Sequence, residues 1–232
     1  MARSSVIVVG AGVAGLACAL ELAERGLAVE IVERGRALGD GACSWMAGGM
    51  LAPWCERATT EPEVVTWGAL SVAWWAERFP GTVQNGSLVV AQSRDAPDLA
   101  RFAARTERFE WVDAERVATL EPDLAGRFRR ALFFPDEAHL DPRRALASLA
   151  ETLRRRGVAI RFGVELGADL RPAFPDNLPQ VRRSGRVLHA NGLFRHGFLL
   201  APALARRVAD AALDPTFKSE APDADLPQRR RA

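Results

Sequence analysis

The sequence predicts an α/β fold built on a parallel sheet, and three features carry that prediction. The first is residues 5–34, which read as strand, glycine-rich turn, helix and second strand. The second is a strongly signalled helix, 142–156, lying between strand-like runs at 131–134 and 158–165. The third is a composition of 48% hydrophobic and 26% charged residues, the balance of a globular chain with a real core. The 232 residues suffice for one large domain or two small ones.

In the first feature, Val6 to Val9 meet Gly10-Ala11-Gly12-Val13-Ala14-Gly15, and a second apolar strand, Ala28 to Val32, ends in Glu33 and Arg34. Gly10 allows the tight turn. Gly12 lets backbone approach a pyrophosphate where a Cβ would clash, and Gly15 lets the helix pack closely on the strand. The N–H groups of Val13 and Ala14 open the helix, whose positive dipole end favours phosphate. Glu33, at the tip of the second strand, is placed to accept hydrogen bonds from ribose hydroxyls. The pattern predicts a dinucleotide site for FAD or NAD(P). A secretory signal is the competing reading of this N-terminus. It fails because the apolar run breaks at Gly10 and the next segment carries Glu21, Glu24 and Arg25.

The totals exclude several classes. No apolar run approaches the roughly 18 residues of a spanning helix, and a net charge of +2 gives no reason to expect nucleic acid. Cys18, Cys43 and Cys55 lack metal or redox-pair spacing, which points to reduced thiols and a cytoplasmic protein. His139, His189 and His196 are scattered, so no metal is expected. Ser44 lacks the flanking glycines of a hydrolase elbow. The six tryptophans read as core rather than as a stacking platform.

Beyond Glu33 comes a loop of small residues, 39–53, then a helix from about 61 to 79 with Trp67, Leu70 and Trp74 on one face. A strand is expected at 87–91, a helix at 97–108, extended chain near Trp111 and a short helix closed by Leu120-Glu121-Pro122. Asp141 suits an N-cap, Pro142 position N1 and Gly157 position C′. Arg154-Arg155-Arg156 complements the negative end of that helix. A last helix is expected from about Ala201, with Pro202 near its start, and from Asp214 the Pro-, Asp- and Arg-rich chain reads as a mobile tail.

Three separated stretches together resemble the FAD-dependent D-amino-acid oxidase superfamily, and within it the bacterial glycine oxidases of thiamine biosynthesis. They are the fingerprint at 6–34, CSWMAGGMLAPW at 43–54, and LRPAFPDNLP at 170–179 with NGLFRHGFLLAP at 191–202. The resemblance implies a Rossmann-like FAD-binding domain of the glutathione-reductase type from residues 1–79 and 140–213. It also implies a reduced α+β substrate domain at 80–139, ahead of the tail at 214–232. A long block that completes the nucleotide-domain sheet in the family, and supplies an active-site tyrosine, is missing: Val164-Glu165 runs almost directly into Leu166, and the chain has no tyrosine.

The resemblance further implies that Arg171 and Arg195 hold the substrate carboxylate, a task suited to the planar guanidinium. Cys43, Ser44, Gly48, Gly49 and Met50 would line one side of the flavin. Gly192, Leu193, Phe194, Arg195, His196, Gly197, Phe198 and Leu199 would line the other, the following helix aiming its N–H groups at the reduced ring. Val164 would offer backbone to adenine. The implied reaction oxidises glycine or a small D-amino acid to the imine with O2. No nucleic acid or membrane is expected, and self-association could cover exposed sheet edges. The alternative is an inactive flavin-binding remnant; an NAD(P) dehydrogenase leaves 43–54 and 191–202 without a role.

Overall fold

A computed structural model describes residues 5–164 and 178–217. Arg171 and the tail from 218 onward therefore lie outside the described residues. In chain order the elements are β1 (Ser5–Val9), α1 (Val13–Glu24), β2 (Ala28–Val32), β3 (Met50–Leu51), α2 (Pro53–Glu56) and α3 (Pro62–Arg78). Next come β4 (Ser87–Val89), α4 (Ala96–Ala103), β5 (Glu110–Asp113), α5 (Ala114–Leu120), β6 (Arg130–Phe134) and β7 (Ala138–His139). The last are α6 (Pro142–Arg155), β8 (Ala159–Arg161), β9 (Gln180–Ser184), β10 (Val187–Asn191) and α7 (Gly197–Leu213).

β1, β2 and β8 form a parallel sheet in that order, with Val8 opposite Ile31 and Ile31 opposite Ile160. α1 is apolar nearly all round, and Leu16 to Leu22 are all buried. A helix of that kind belongs inside a core, and α6 and α7 pack with it around Leu20, Leu146, Leu149 and Leu204. A second, antiparallel sheet, β4-β6-β5, has its own small core of Val112, Val117 and Phe133. The short β3–β7 pair and a bridge between Val83 and His139 tie this half to the first.

The expected cap of α6 is present. The Asp141 carboxylate accepts from the N–H groups of Arg143 and Arg144 at 2.9 and 3.0 Å, and Gly157 sits at φ 82°. The structure departs from the expectations in two places. The last helix starts at Gly197, not near Ala201, and Pro202 lies inside it. Pro202 has no N–H for the Phe198 carbonyl, four residues back, and the indole N–H of Trp75 donates to that oxygen instead at 3.0 Å. The Ser71 hydroxyl likewise donates to the Leu199 carbonyl, so α3 supplies what the proline removes. Second, β9 and β10 form a hairpin that the analysis above did not anticipate, turned at Gly185 with φ 56°. At the start of the expected tail, the Asp214 carboxylate accepts from the Thr216 N–H, and Arg183 donates to the Asp214 carbonyl.

Among the described residues β1 pairs on one side only. Ile7 and Val9 are 61% and 62% exposed on one face. Parallel sheets are ordinarily covered on both faces, so among the described residues β1 presents an open edge and an open face.

Candidate active site

Two helix N-termini meet in this fold. Gly12 caps α1 in extended conformation, and Gly197 opens α7 so close by that a Cβ on it would lie 3.4 Å from Val13 Cγ1. At the far end Arg25 forms an ion pair with Asp210, so the helices run side by side in one direction. Their positive dipole ends therefore face the same region.

Around the first of these ends, Gly10 takes φ 103° and its N–H donates to the Val32 carbonyl at 2.9 Å, fixing the turn. A Cβ on Gly15 would collide with the Gly10 carbonyl, which is why helix and turn can lie so close. Ser44, buried in a 3-10 turn at Cys43–Met46, brings its hydroxyl to the Val13 N–H at 3.3 Å. That is a long bond, readily exchanged for a phosphate oxygen. The Glu33 carboxylate accepts from Ala11 N–H at 2.6 Å and Gly35 N–H at 2.8 Å, and so is turned toward the glycine turn. Arg34 is exposed beside it. The Val164 N–H donates to the Glu33 carbonyl at 3.0 Å, so only the remainder of Val164 is left for adenine.

Cys43 and Gly48 are exposed, as is Met50. Gly49 is buried at φ 73°, and a Cβ there would strike the Leu140 carbonyl. Protein packing alone thus demands this glycine. Ahead of α7, buried Gly192 has φ 95°, Leu193 is half-buried, and Phe194 carries a left-handed φ of 44° that only glycine adopts freely. Phe198 and Leu199 point into the core, where Phe198 packs on Trp75. Any part these two play toward a ligand falls to their backbone.

Arg195 is half-exposed and already engaged. Its Nη2 donates to Glu56 Oε2 at 2.9 Å and Thr59 Oγ1 at 3.0 Å, and its Nε lies 3.5 Å from His196 Nε2. Burial lowers the pKa of His196 below the ordinary value; Glu56 opposes this and the Arg195 charge adds to it. Sequence reasoning missed Glu56 and Thr59, because nothing in the spacing of 56, 59 and 195 announces that they meet.

It also missed Glu137, a fully buried carboxyl whose Oε1 accepts from the Cys55 N–H at 2.7 Å. Burial pushes its pKa up, against the pull of hydrogen bonds from the Cys55 and Trp54 backbone and from the Ser87 and Cys55 side chains. The folded state therefore keeps a proton that the unfolded chain releases. Stability should decline as pH rises from about 4.5 through the raised value, then level off. Glu137→Gln, which cannot ionise, should flatten that slope in urea titrations across pH; an unchanged slope would assign it elsewhere. The same surroundings push the Cys55 thiol up, and burial takes Cys18 to about 12, so neither serves as a nucleophile.

The family model of the FAD dependent oxidoreductases (DAO) matches residues 5–169. The chain belongs to this family. Its cofactor is FAD. The Rhizobium etli protein assigned as thiamine biosynthesis oxidoreductase ThiO is 37% identical over 311 aligned residues, which take in 88% of this chain and 95% of that protein. An alignment longer than the chain's own 232 residues shows that the shortfall is internal, and the family match stops at 169, beside the expected break. Glycine oxidase from Geobacillus kaustophilus superposes with TM-score 0.60 at 28% identity, over 72% of this chain and 48% of that one. L-α-glycerophosphate oxidase from Mycoplasma pneumoniae with FAD bound shares the fold at TM-score 0.58 and 19% identity, over 84% of this chain and 51% of that one. The chain spans about half the length of these two solved structures. No helix among the described residues is long and apolar enough to cross a membrane.

Proposed function

We propose that this chain holds FAD across the paired ends of α1 and α7 and oxidises the amine of glycine or a small amino acid to the imine, with O2 as acceptor. The observation that carries the reading is the meeting of Gly197 and Val13, which sets two positive helix ends side by side with Arg195 just ahead of the second. The residues present fit the cofactor. Gly10 and Gly12 leave Ala11 as the turn's one small side chain, Val13 and Ala14 present first-turn N–H groups to a pyrophosphate, and the remaining lone pairs of Glu33 suit a ribose.

FAD supplies, when bound, a two-electron acceptor that O2 restores with release of hydrogen peroxide. The N–H groups at the start of α7, from Gly197 to Leu199, favour negative charge on the ring system, and the glycines at 192 and 197 let backbone come close. Arg195, with Arg171, pins the carboxylate, so that the amine-bearing carbon is held in one orientation. An amine that arrives neutral asks for no separate base. The Rhizobium etli relative's name supports a place in thiamine biosynthesis.

A second reading, a flavin-binding remnant without turnover, is favoured by the open β1 edge and the exposed Ile7 and Val9. The absorbance spectrum of the purified protein, before and after anaerobic glycine, decides. Flavin bands that bleach are the expected result. Bands that persist indicate the remnant, and no flavin after reconstitution overturns both.

A further inference from the structure

We propose that Glu56 is a built-in competitor for the substrate carboxylate, occupying Arg195 and thereby setting which anions the site accepts; this rests on Arg195 being a carboxylate-binding residue, as read above. The juxtaposition is specific. Glu56 ends α2, and its Oε2 stands 2.9 Å from Arg195 Nη2 and 3.9 Å from His196 Nδ1. Thr59 Oγ1 takes the same Nη2 at 3.0 Å. The Nε edge faces His196, so two sides of the guanidinium are used before any ligand arrives.

The backbone that carries Glu56 is anchored on both flanks, which fixes the point from which its carboxylate reaches Arg195. The Cys55 N–H is held by buried Glu137 at 2.7 Å, and the Glu56 carbonyl accepts from the Thr60 hydroxyl at 2.8 Å and the Thr59 N–H at 2.9 Å. The carboxylate side chain is 28% exposed and that of Arg195 is 50% exposed, so the pair sits at the rim of the site, where solvent still reaches it. A carboxylate that docks on Nη2 must displace Glu56 or share the guanidinium with a like charge at hydrogen-bond distance. Either way its affinity is lowered by the strength of the resident pair. For a pair this exposed that is a factor of about three to five. Weak anions are then turned away, and a ligand must offer more than a carboxylate to compete.

The test is calorimetric binding of glycolate, a carboxylate of glycine's size without the amine, to the full-length protein reconstituted with FAD. Glu56→Gln should bind glycolate about threefold to fivefold more tightly than the parent. Glu56→Ala should do likewise, which guards against an effect peculiar to the amide. Arg195→Met should weaken binding at least tenfold, and adding Glu56→Gln to it should bring no gain, because the competitor has lost its target. A gain that survives in the Arg195→Met background would overturn the proposal, since Glu56 would be acting elsewhere. Unchanged or weaker binding in Glu56→Gln, with Arg195→Met still impaired, would overturn it while leaving the carboxylate role of Arg195 intact. Undiminished binding in Arg195→Met, or no binding in any variant, would remove that role and the proposal with it.

Discussion

Gly15→Val is expected to abolish flavin uptake and to cost about 3 kcal/mol of stability. The reason is that neither side of the contact can retreat. A Cβ at residue 15 enters the Gly10 carbonyl, and Gly10 is fixed by its positive φ and by its N–H bond to Val32. The alternative is to tilt α1 away from β1, which would open the core around Leu16 and Leu20 and move the N–H groups of the first turn. Gly26→Ala is the matched control. Unlike helical Gly15 it has positive φ, and open space surrounds the added Cβ, so only the backbone cost of about 1 kcal/mol applies. Urea denaturation with flavin absorbance reads both effects. A Gly15→Val protein that melts like its parent would refute the packing argument.

The second large effect concerns the open edge. Ser5–Val9 carries no charge and no proline, and among the described residues no strand pairs with its outer side, which is flanked by two exposed apolar side chains. Natural edge strands ordinarily carry charge or other obstacles against pairing. We propose that copies of this chain associate along β1. An antiparallel pair centred on Ile7 sets Val6 against Val8 and Ser5 against Val9, so the strand is complementary to itself. Ile7→Lys should convert an associated species to a monomer with little loss of fold, since this side chain is already 61% exposed. Light scattering on both proteins is the check, and a parent that is a stable monomer would exclude the association.

Legibility varied with how local the cause was. The turn at Gly10 to Gly15 and the cap at Asp141 are decided within a few residues, and both were readable. α7 was misjudged because Pro202 normally marks a helix start, whereas here Trp75 and Ser71, more than a hundred residues away, take the carbonyls near the proline. The β9–β10 hairpin had its signal in Gly185 between alternating residues, but the arginines at 182 and 183 weakened the apolar pattern. Within the proposed site, the positions ahead of α7 were put forward on motif likeness. Glu56, Thr59 and Glu137 were not, since ion pairs and buried carboxyls between distant segments leave no periodic trace. The break near residue 165 was visible as missing sequence, and exposed sheet edges were expected from it; which strand is left unpaired among the described residues needed the strand order.

The side-by-side packing of α1 and α7 has a consequence for the order of events during synthesis. Arg25 and Asp210 are separated by 185 residues, so α1 emerges from the ribosome long before the helix that covers it. At about 5–20 residues per second, its apolar flank stays uncovered for roughly ten seconds or more. Folding can conclude only when the final helix closes on the first, a high-contact-order step and therefore a slow one. A nascent chain of this design is exposed to aggregation through that interval. Shortfalls in yield should then follow translation speed and temperature as much as the stability of the finished protein.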